Sequence, residues 1–493
     1  MAQAIETQPP NANPTDTNTV HFLREAAEAK FDFHSISIQA AGDERLKTAV
    51  STNTQRQYDG RQLRMLELPD ADGMRTLAGG IKQHALDNLD FYLDQLADCV
   101  HRNGGQVHFA RDADSARTII AGIAQKSGCK RVIKSKSMAS EEIELAHFLE
   151  SAGLDLVETD LGEFIIQISH DKPSHLVAPI IHKDRASIAR LFSEYFKTPY
   201  CDDPEALTAQ ARLFLRNKFR AADLGITGGN FLIAETGQVC VVENEGNARQ
   251  SLTTPRVLVS LVGIEKIIPR LADLAVMLKL LARSSTGQRM TVYTSVFGGP
   301  RQSGEKDGPE EFHLVLLDNG RSEILASEQY RETLRCIRCG ACLNACPVYR
   351  KIGGHAYGSV YPGPIGALIT PLFQGLGKFK DLPQASSLCG ACYEACPVKI
   401  NIPRHLVNLR KDITDQRLNS PIERIIYRLW AWGMKSPRRY RIFTAMQKFD
   451  LRRRARGTGW IAKLPSVVSG WTRVRDMPAP ATRTFHEIWK DRP

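Results

Sequence analysis

The sequence predicts two folded parts of different class. One is an α/β domain with a parallel-type sheet; the other is a small α-helical domain organised by cysteines, with a basic tail after it. Three observations carry that prediction. Between residues 105 and 320, short β-prone runs alternate with helical patterns of about 10–15 residues, the rhythm of strand–helix–strand units. Seven of the 11 cysteines fall in two runs between Cys336 and Cys396. Charge is concentrated at one end: residues 421–493 hold 17 Lys/Arg and 5 Asp/Glu, a net +12, against +11 for the whole chain.

A chain of 493 residues has room for two or three domains. Five spans are expected: a disordered leader over 1–20, a helical segment over 21–104, the α/β domain over 105–320, the cysteine domain over 327–410 and the tail over 411–493. The leader is polar and rich in Pro, Asn and Thr, without the charged-then-apolar order of a signal peptide. No stretch of about 18 apolar residues is present, so no transmembrane helix is expected.

Residues 21–45, 58–68 and 74–103 carry apolar positions three and four apart, a helical pattern. Phe91, Leu93, Leu96, Cys99 and Val100 suit a buried helix face, with Cys99 as a small core residue. Residues 106–110 form the first strand, 112–126 a helix with Ala116, Ile119, Ile120 and Ile123 inward, and 131–134 the second strand. Ser137 caps the next helix and acids fill its first turn. Residues 154–158 and 164–168 are expected as the third and fourth strands. From Gly225 to Asn247 the pattern is strand, Glu-Thr-Gly-Gln turn, strand, with Cys240 among valines in the core. Residues 258–281 are strongly apolar and expected as a helix on the sheet. Residues 290–296 and 312–317 are the last strands, separated by a Gly/Pro/Ser/Lys linker.

Ligands in open parallel sheets gather at the carboxyl ends of the strands. Lys134-Ser-Lys-Ser137 and Thr159-Asp-Leu-Gly-Glu163 fall there. The first is a loop before a helix, suited to an anion or to an ordinary turn. Neither G-x-G-x-x-G after a strand nor G-x-x-x-x-G-K-[ST] occurs, so the usual dinucleotide and P-loop signals are absent. Thr227, Asn230, Glu235, Glu243, Asn244 and Asn247 crowd the ends of the hairpin, as a polar site or as turn chemistry. His170, His175 and His182 are candidate ligands or acid–base groups, or loop histidines without a role.

The cysteines are more specific. Cys336, Cys339, Cys342 and Cys346, followed by Pro347, form C-x2-C-x2-C-x3-C-P. This spacing wraps a [4Fe–4S] cube in ferredoxin-type proteins, where the fourth cysteine goes to the other cluster. A second copy, Cys389, Cys392 and Cys396 before Pro397, is one cysteine short, and Ser386 stands in the missing place. Exchange of the last cysteines assigns Cys336, Cys339, Cys342 and Cys396 to one cluster, and Cys346, Cys389 and Cys392 to the other. The second is then [3Fe–4S], or [4Fe–4S] with Ser386, water or a partner's residue as fourth ligand. Zinc is the competing occupant of paired cysteine runs, but the x3-C-P ending and its repeat fit cubane ligation better. The glycine-rich loop between the runs suits backbone passing close to a cluster. Cysteines that must stay reduced during assembly favour the cytoplasm.

The motifs Lys134-Ser-Lys-Ser-Met, Thr159-Asp-Leu-Gly-Glu163, Thr227-Gly-Gly-Asn-Phe, Ala234-Glu-Thr-Gly, Val242-Glu-Asn-Glu-Gly-Asn247 and Gly263-Ile-Glu-Lys-Ile-Ile-Pro269, in this order, resemble the lactate-utilisation domain. With the cysteine runs appended, residues 40–480 resemble the lactate-utilisation protein B family, the iron–sulfur subunit of a three-component system. The resemblance implies a core related to the glucosamine-phosphate isomerase and formyltetrahydrofolate cyclo-ligase folds. It also implies oxidation of L-lactate to pyruvate together with A- and C-type partner proteins. On that reading the chain is a non-catalytic or co-catalytic electron-transfer subunit, with a quinone-linked acceptor downstream. The resemblance assigns no catalytic residue. Two alternatives stand beside it. One is the iron–sulfur subunit of another respiratory 2-hydroxy-acid or glycerol-phosphate dehydrogenase. The other is an α/β metabolite-binding protein whose clusters are structural or regulatory.

All five tryptophans (Trp430, Trp432, Trp460, Trp471 and Trp489) lie in the basic tail, interleaved with arginine runs. Tryptophan and arginine are common interface anchors, so docking on a partner subunit is the first expectation. Contact with an anionic membrane surface is the second, placing the protein at the inner face of the membrane. No nucleic-acid partner is expected.

Overall fold

The computed structural model describes residues 31–492 apart from 456, 473 and 474. The expected leader, and residues 21–30 of the first helical pattern, lie outside the described residues. The chain divides into two compact units, one ending at Ile413 and one running from Thr414.

Four helices open the first unit: Phe33–Gly42, Glu44–Leu66, Ala71–Asp87 and Leu89–Arg102. Asp32, Asp43 and Asp70 cap the first three, each carboxylate accepting a backbone N–H one turn in. The pattern expected to run unbroken over 74–103 is interrupted at Asn88. Leu96, Cys99 and Val100 are buried, but Phe91 is 62% exposed, because it lies about two and a half turns before Val100, on the opposite side of the same helix.

The main sheet contains β1 (Gln106–Ala110), β2 (Arg131–Lys134), β3 (Asp155–Glu158), β4 (Leu224–Thr227), β7 (Val257–Gly263) and β10 (Glu311–Leu317). Its order is β1-β10-β7-β4-β2-β3, and every neighbouring pair is parallel. A smaller sheet is formed by β5 (Phe231–Ile233), β6 (Gln238–Glu243), β8 (Ile267–Ile268) and β9 (Tyr293–Phe297), in the order β8-β5-β6-β9. The β5–β6 pair is the expected antiparallel hairpin. One face of the main sheet packs on Ile120, Leu145 and Leu149, the other on Leu96, Val100 and Leu232. Both faces are therefore covered, as an all-parallel sheet requires.

Two expectations are corrected. Residues 164–168 are not a fourth strand but the end of helix Leu161–Ile168. Asp160 caps it by accepting from the Glu163 N–H, and the run Phe-Ile-Ile-Gln-Ile packs against Phe192, Leu207 and Leu215. A short apolar run reads the same in a buried helix and in a buried strand, and here the cap decides. Residues 258–281 are not one helix. Their first part is the central strand β7, every residue of which is buried, and the helix is Leu271–Ser285. A strand covered on both faces has no polar alternation to reveal it.

Within the first unit, each cysteine run contains a short helix: Ala341–Ala345 and Ala391–Ala395. They are joined by the glycine-rich loop and by helix Gly363–Gln374, which is buried over most of its length.

The second unit is folded where a tail was expected. It contains helices Pro421–Met434 and Pro437–Ala455, a two-stranded pair of Trp460–Ile461 with Met477–Pro478, and helix Phe485–Lys490. Leu451, Ala455, Ile461 and Leu464 form its small core. Among the described residues no helix is long and apolar enough to cross a membrane.

Candidate functional site

The seven cysteines of the two runs gather in two sets. Cys336, Cys339, Cys342 and Cys396 line one small cavity, walled by Ile337, Ile365, Val398 and Ile400. Cys396 therefore joins the first three from a run more than 50 residues later in the chain. Cys346, Cys389 and Cys392 act on one another electrostatically, and Cys392 also acts on Cys342.

The donor chemistry agrees. Burial pushes the thiols of Cys339 and Cys392 up to about 12 and that of Cys396 up to about 11. Such thiols become thiolates only when a metal centre compensates their charge. Backbone N–H groups of Tyr349 and Ile400 point at the sulfurs of Cys346 and Cys396, at 3.5 and 3.4 Å. Arg61 and Arg75 bring positive charge beside the first set. Arg75 donates to the carbonyls of Cys396 and Tyr393, and Arg61 to that of Glu394. The residues present fit iron–sulfur clusters.

Ser386 sits where the missing cysteine would be. Its hydroxyl accepts the Leu388 N–H at 3.1 Å, and its carbonyl accepts from Arg410. That is an ordinary turn interaction two residues on.

A second cavity of about 330 Å³ opens at the carboxyl ends of the strands and reaches the first cysteine run. One wall carries Asp160, Glu243 and Glu245 with Lys136; another carries Lys266, Arg338 and Tyr361. Burial, helped by Asp160, pushes the Glu245 carboxyl up to about 7, although it accepts the Leu161 N–H at 3.0 Å. Burial also raises Asp160, against the pull of Lys136. Burial and Arg338 press the Lys266 ammonium down to about 8.

Behind the cationic wall lies a buried network. Arg321 donates to Glu265 at 2.6 Å and to both oxygens of Glu142 at 2.9 and 2.8 Å, and Tyr361 donates to Glu142 at 2.5 Å. Despite burial, Arg321 and Arg338 hold Glu265 down at about 2. Gly263 makes room for this network: a Cβ there would fall 2.1 Å from a Glu265 oxygen. At the ends of β2 and β3, Lys134 is buried among Glu158, Glu141 and Glu163, at 2.8, 3.0 and 3.4 Å. Burial alone would lower its pKa, but the three carboxylates raise it well above the ordinary lysine value.

The candidates read from sequence separate here. Asn230, Glu243, Asn244 and Asn247 line the large cavity, and Glu235 does not. Much of their polarity is spent locally. Glu243 caps helix Asn247–Thr253 by accepting from Ala248 and Arg249, and Asn230 accepts from Val242. Glu235 accepts from Leu271, and Thr227 is buried against Ser135. Lys136 faces the cavity, with its ammonium on the Val177 carbonyl. His175 is fully buried and burial pushes it down to about 3, so it is neutral. Its Nδ1 accepts two N–H groups, from Val177 and Ala178, so its Nε2 donates to Asn344 in the cysteine domain. His182 pairs with Asp171 at 3.0 Å, and His170 makes no such contact. Arg338, Lys266, Glu265, Arg321 and Glu245 were not read as site residues. For Arg338 a signal existed: it holds the place within its cysteine run that Leu388 holds in the second copy.

An α/β domain with a polar cavity at its strand ends, fused to a domain of two cysteine sets, defines a class: an iron–sulfur protein built on a parallel α/β layer. Comparison with known proteins agrees. Residues 93–317 match the LUD domain, 332–400 the 4Fe-4S dicluster domain, and 411–493 the C-terminal domain of lactate utilisation protein B. Lactate utilization protein B of Bacillus subtilis (strain 168) is 44% identical over 92% of this chain and 95% of that protein. The one from Bacillus velezensis (strain DSM 23117 / BGSC 10A6 / LMG 26770 / FZB42) is 45% identical over 91% and 94%. An "uncharacterized electron transport protein YkgF" of Escherichia coli (strain K12) is 43% identical over 93% and 96%. The chain belongs to the lactate utilisation protein B family.

Proposed function

We propose that the protein is the electron-transfer subunit of a complex that oxidises L-lactate to pyruvate. The observation that carries this reading is the pair of cysteine sets, each completed or approached by the other's run, beside a polar cavity at the sheet ends. Cys336, Cys339, Cys342 and Cys396 hold one iron–sulfur cluster, and Cys346, Cys389 and Cys392 hold the second. When bound, such clusters supply one-electron transfer at potentials set by ligand charge, hydrogen bonding and burial. Lactate oxidation releases two electrons, and two ligand sets in series suit a relay to a downstream acceptor. Arg61, Arg75 and the N–H groups on sulfur stabilise the added negative charge. The second set takes either [3Fe–4S], or [4Fe–4S] with a fourth ligand that is not cysteine. The parallel sheet with polar strand ends supports kinship with the glucosamine-phosphate isomerase and formyltetrahydrofolate cyclo-ligase folds.

The partners on this reading are A- and C-type proteins of the same system. Helix Pro421–Met434 presents Trp430 and Trp432, 58% and 52% exposed, and Arg439 stacks on Trp432. These are the residue types of an interface anchor. We assign the protein to the cytoplasm or the inner membrane face, with a quinone-linked acceptor beyond it.

Electron paramagnetic resonance on anaerobically purified protein tests the reading, before and after dithionite and then with L-lactate and the partner subunits. Cluster signals reduced by lactate in the full mixture are expected. Cluster signals that respond to dithionite but never to lactate would make the clusters structural or regulatory.

A further inference from the structure

Two cations that feel the charge of Cys336, Arg338 and Lys266, also line the large cavity. The Arg338 side chain is only 7% exposed, yet its Nε and one terminal nitrogen have no hydrogen-bond partner. Its other terminal nitrogen lies 3.6 Å from Glu265, whose carboxylate is already taken at 2.6 Å by Arg321. The guanidinium lies over the Tyr361 ring, 4.6 Å from its centroid, which fixes its plane. It lines the large cavity and is absent from the lining of the cysteine cavity. Lys266 lines the same wall and has no hydrogen-bond or ion-pair partner. A buried guanidinium with unmet donors costs free energy unless something accepts from it, and a planar fork matches a carboxylate in two parallel hydrogen bonds.

We propose that this cavity is the substrate site, and that Arg338, with Lys266 beside it, anchors the carboxylate of a small 2-hydroxy or 2-oxo acid. Assigning that class of acid rests on the electron-transfer reading above; the anion site itself rests on the geometry alone. Arg338 lies between two ligands of the first cysteine set, so the anchored acid sits on the side of the first set and away from the second. The unusual backbone of Arg338, at φ 59°, is not evidence for the site, because Leu388 in the second copy has φ 54°. The same backbone turn presents a cation in one copy and an apolar side chain in the other. The cavity is roomier than a three-carbon acid needs, so the site reads the carboxylate more than the length of the chain behind it.

Equilibrium dialysis of the anaerobically purified, cluster-loaded full chain against radiolabelled L-lactate and pyruvate tests this, with acetate and inorganic phosphate as competitors. Saturable binding of at least one of the two acids is expected, with phosphate a poor competitor. Arg338→Gln and Lys266→Met should each weaken binding by about tenfold or more, with iron content and resonance signals unchanged. Arg338→Lys, which keeps the charge and loses the fork, should recover only part of the affinity. Absence of saturable binding to the wild-type chain overturns the proposal. So does wild-type affinity in the Gln and Met variants, which would leave both cations to the cluster. Phosphate displacing the acid as well as unlabelled lactate overturns the substrate class. If Arg338→Gln loses iron, Lys266→Met, which lies outside the cysteine runs, decides. Dialysis reads binding without any electron transfer, so its outcome is independent of whether lactate reduces the clusters.

Discussion

The two cysteine runs have nearly the same backbone and different surroundings. Each places a non-glycine residue in the left-handed region just before a cysteine, Arg338 and Leu388, and a left-handed glycine just after it, Gly340 and Gly390. Each then enters a five-residue helix. Around the first run the sulfurs close on an apolar cavity, with Arg61 and Arg75 on one side and the Arg338–Glu265–Arg321 network on another. In the second run Cys389 is exposed, and Ser386 stands at the position that Cys336 holds in the first. One local motif, repeated, thus yields a set that lines an apolar cavity next to a charged one, and a set with one exposed cysteine. Side chains brought from distant parts of the chain make the difference.

The strongest way to break this comparison is to remove one ligand from each run. Cys342→Ser should cost about four iron atoms per chain and abolish the first set's resonance signal, because four cysteines there share one centre. Cys389→Ser should spare that signal and alter only the other. Equal loss of both signals from either variant would show that the sets assemble as one unit.

A buried network of Arg321, Glu142 and Glu265 lies behind the first run. Arg321→Met leaves Glu142 and Glu265 buried with their main partner gone and should destabilise the protein by about 3–5 kcal/mol in anaerobic chemical denaturation. A loss under about 1 kcal/mol would mean that water reaches these carboxylates.

A pH series sharpens the contrast. His175 is buried against the first run and holds a pKa of about 3, below the ordinary histidine value of 6.5. Between those values the unfolded chain binds the extra proton, so stability should fall as pH is lowered from about 6.5, by about 1.4 kcal/mol per pH unit from this group. His175→Asn should flatten that part of the stability–pH curve. An unchanged slope would assign the acid sensitivity elsewhere.

The smallest expected effect compares the matched glycines. Gly340→Ala and Gly390→Ala both force alanine into a left-handed turn, at about 1–2 kcal/mol. A Cβ at Gly340 would also press on His175 at 3.1 Å, whereas nothing lies within 4 Å at Gly390. The first substitution should therefore lower the denaturation midpoint further.

Much of this was legible from short-range pattern. The seven cysteines declare themselves by spacing, because ligation of one centre by neighbouring thiolates is a local constraint. The strands β1, β2 and β3 and the β5–β6 hairpin follow from alternation and turn residues. The strand β7 was misread because burial on both faces erases alternation, and helix Leu161–Ile168 because an apolar run of its length has no period of its own. Phe91 was misplaced because it lies about two and a half turns before Val100, on the opposite side of the same helix.

By itself, then, the sequence determined the ligand types, their two runs, the parallel α/β layer and the basic segment, since each rests on residues close together in the chain. Only the tertiary structure decided that Glu245 and Lys266 face one cavity, and that Arg338 is left with unmet donors inside it. The physical reason is that desolvation and charge pairing depend on what surrounds a group in space. For Arg338 those surroundings come from Glu265 and Tyr361, 73 residues before it and 23 after it.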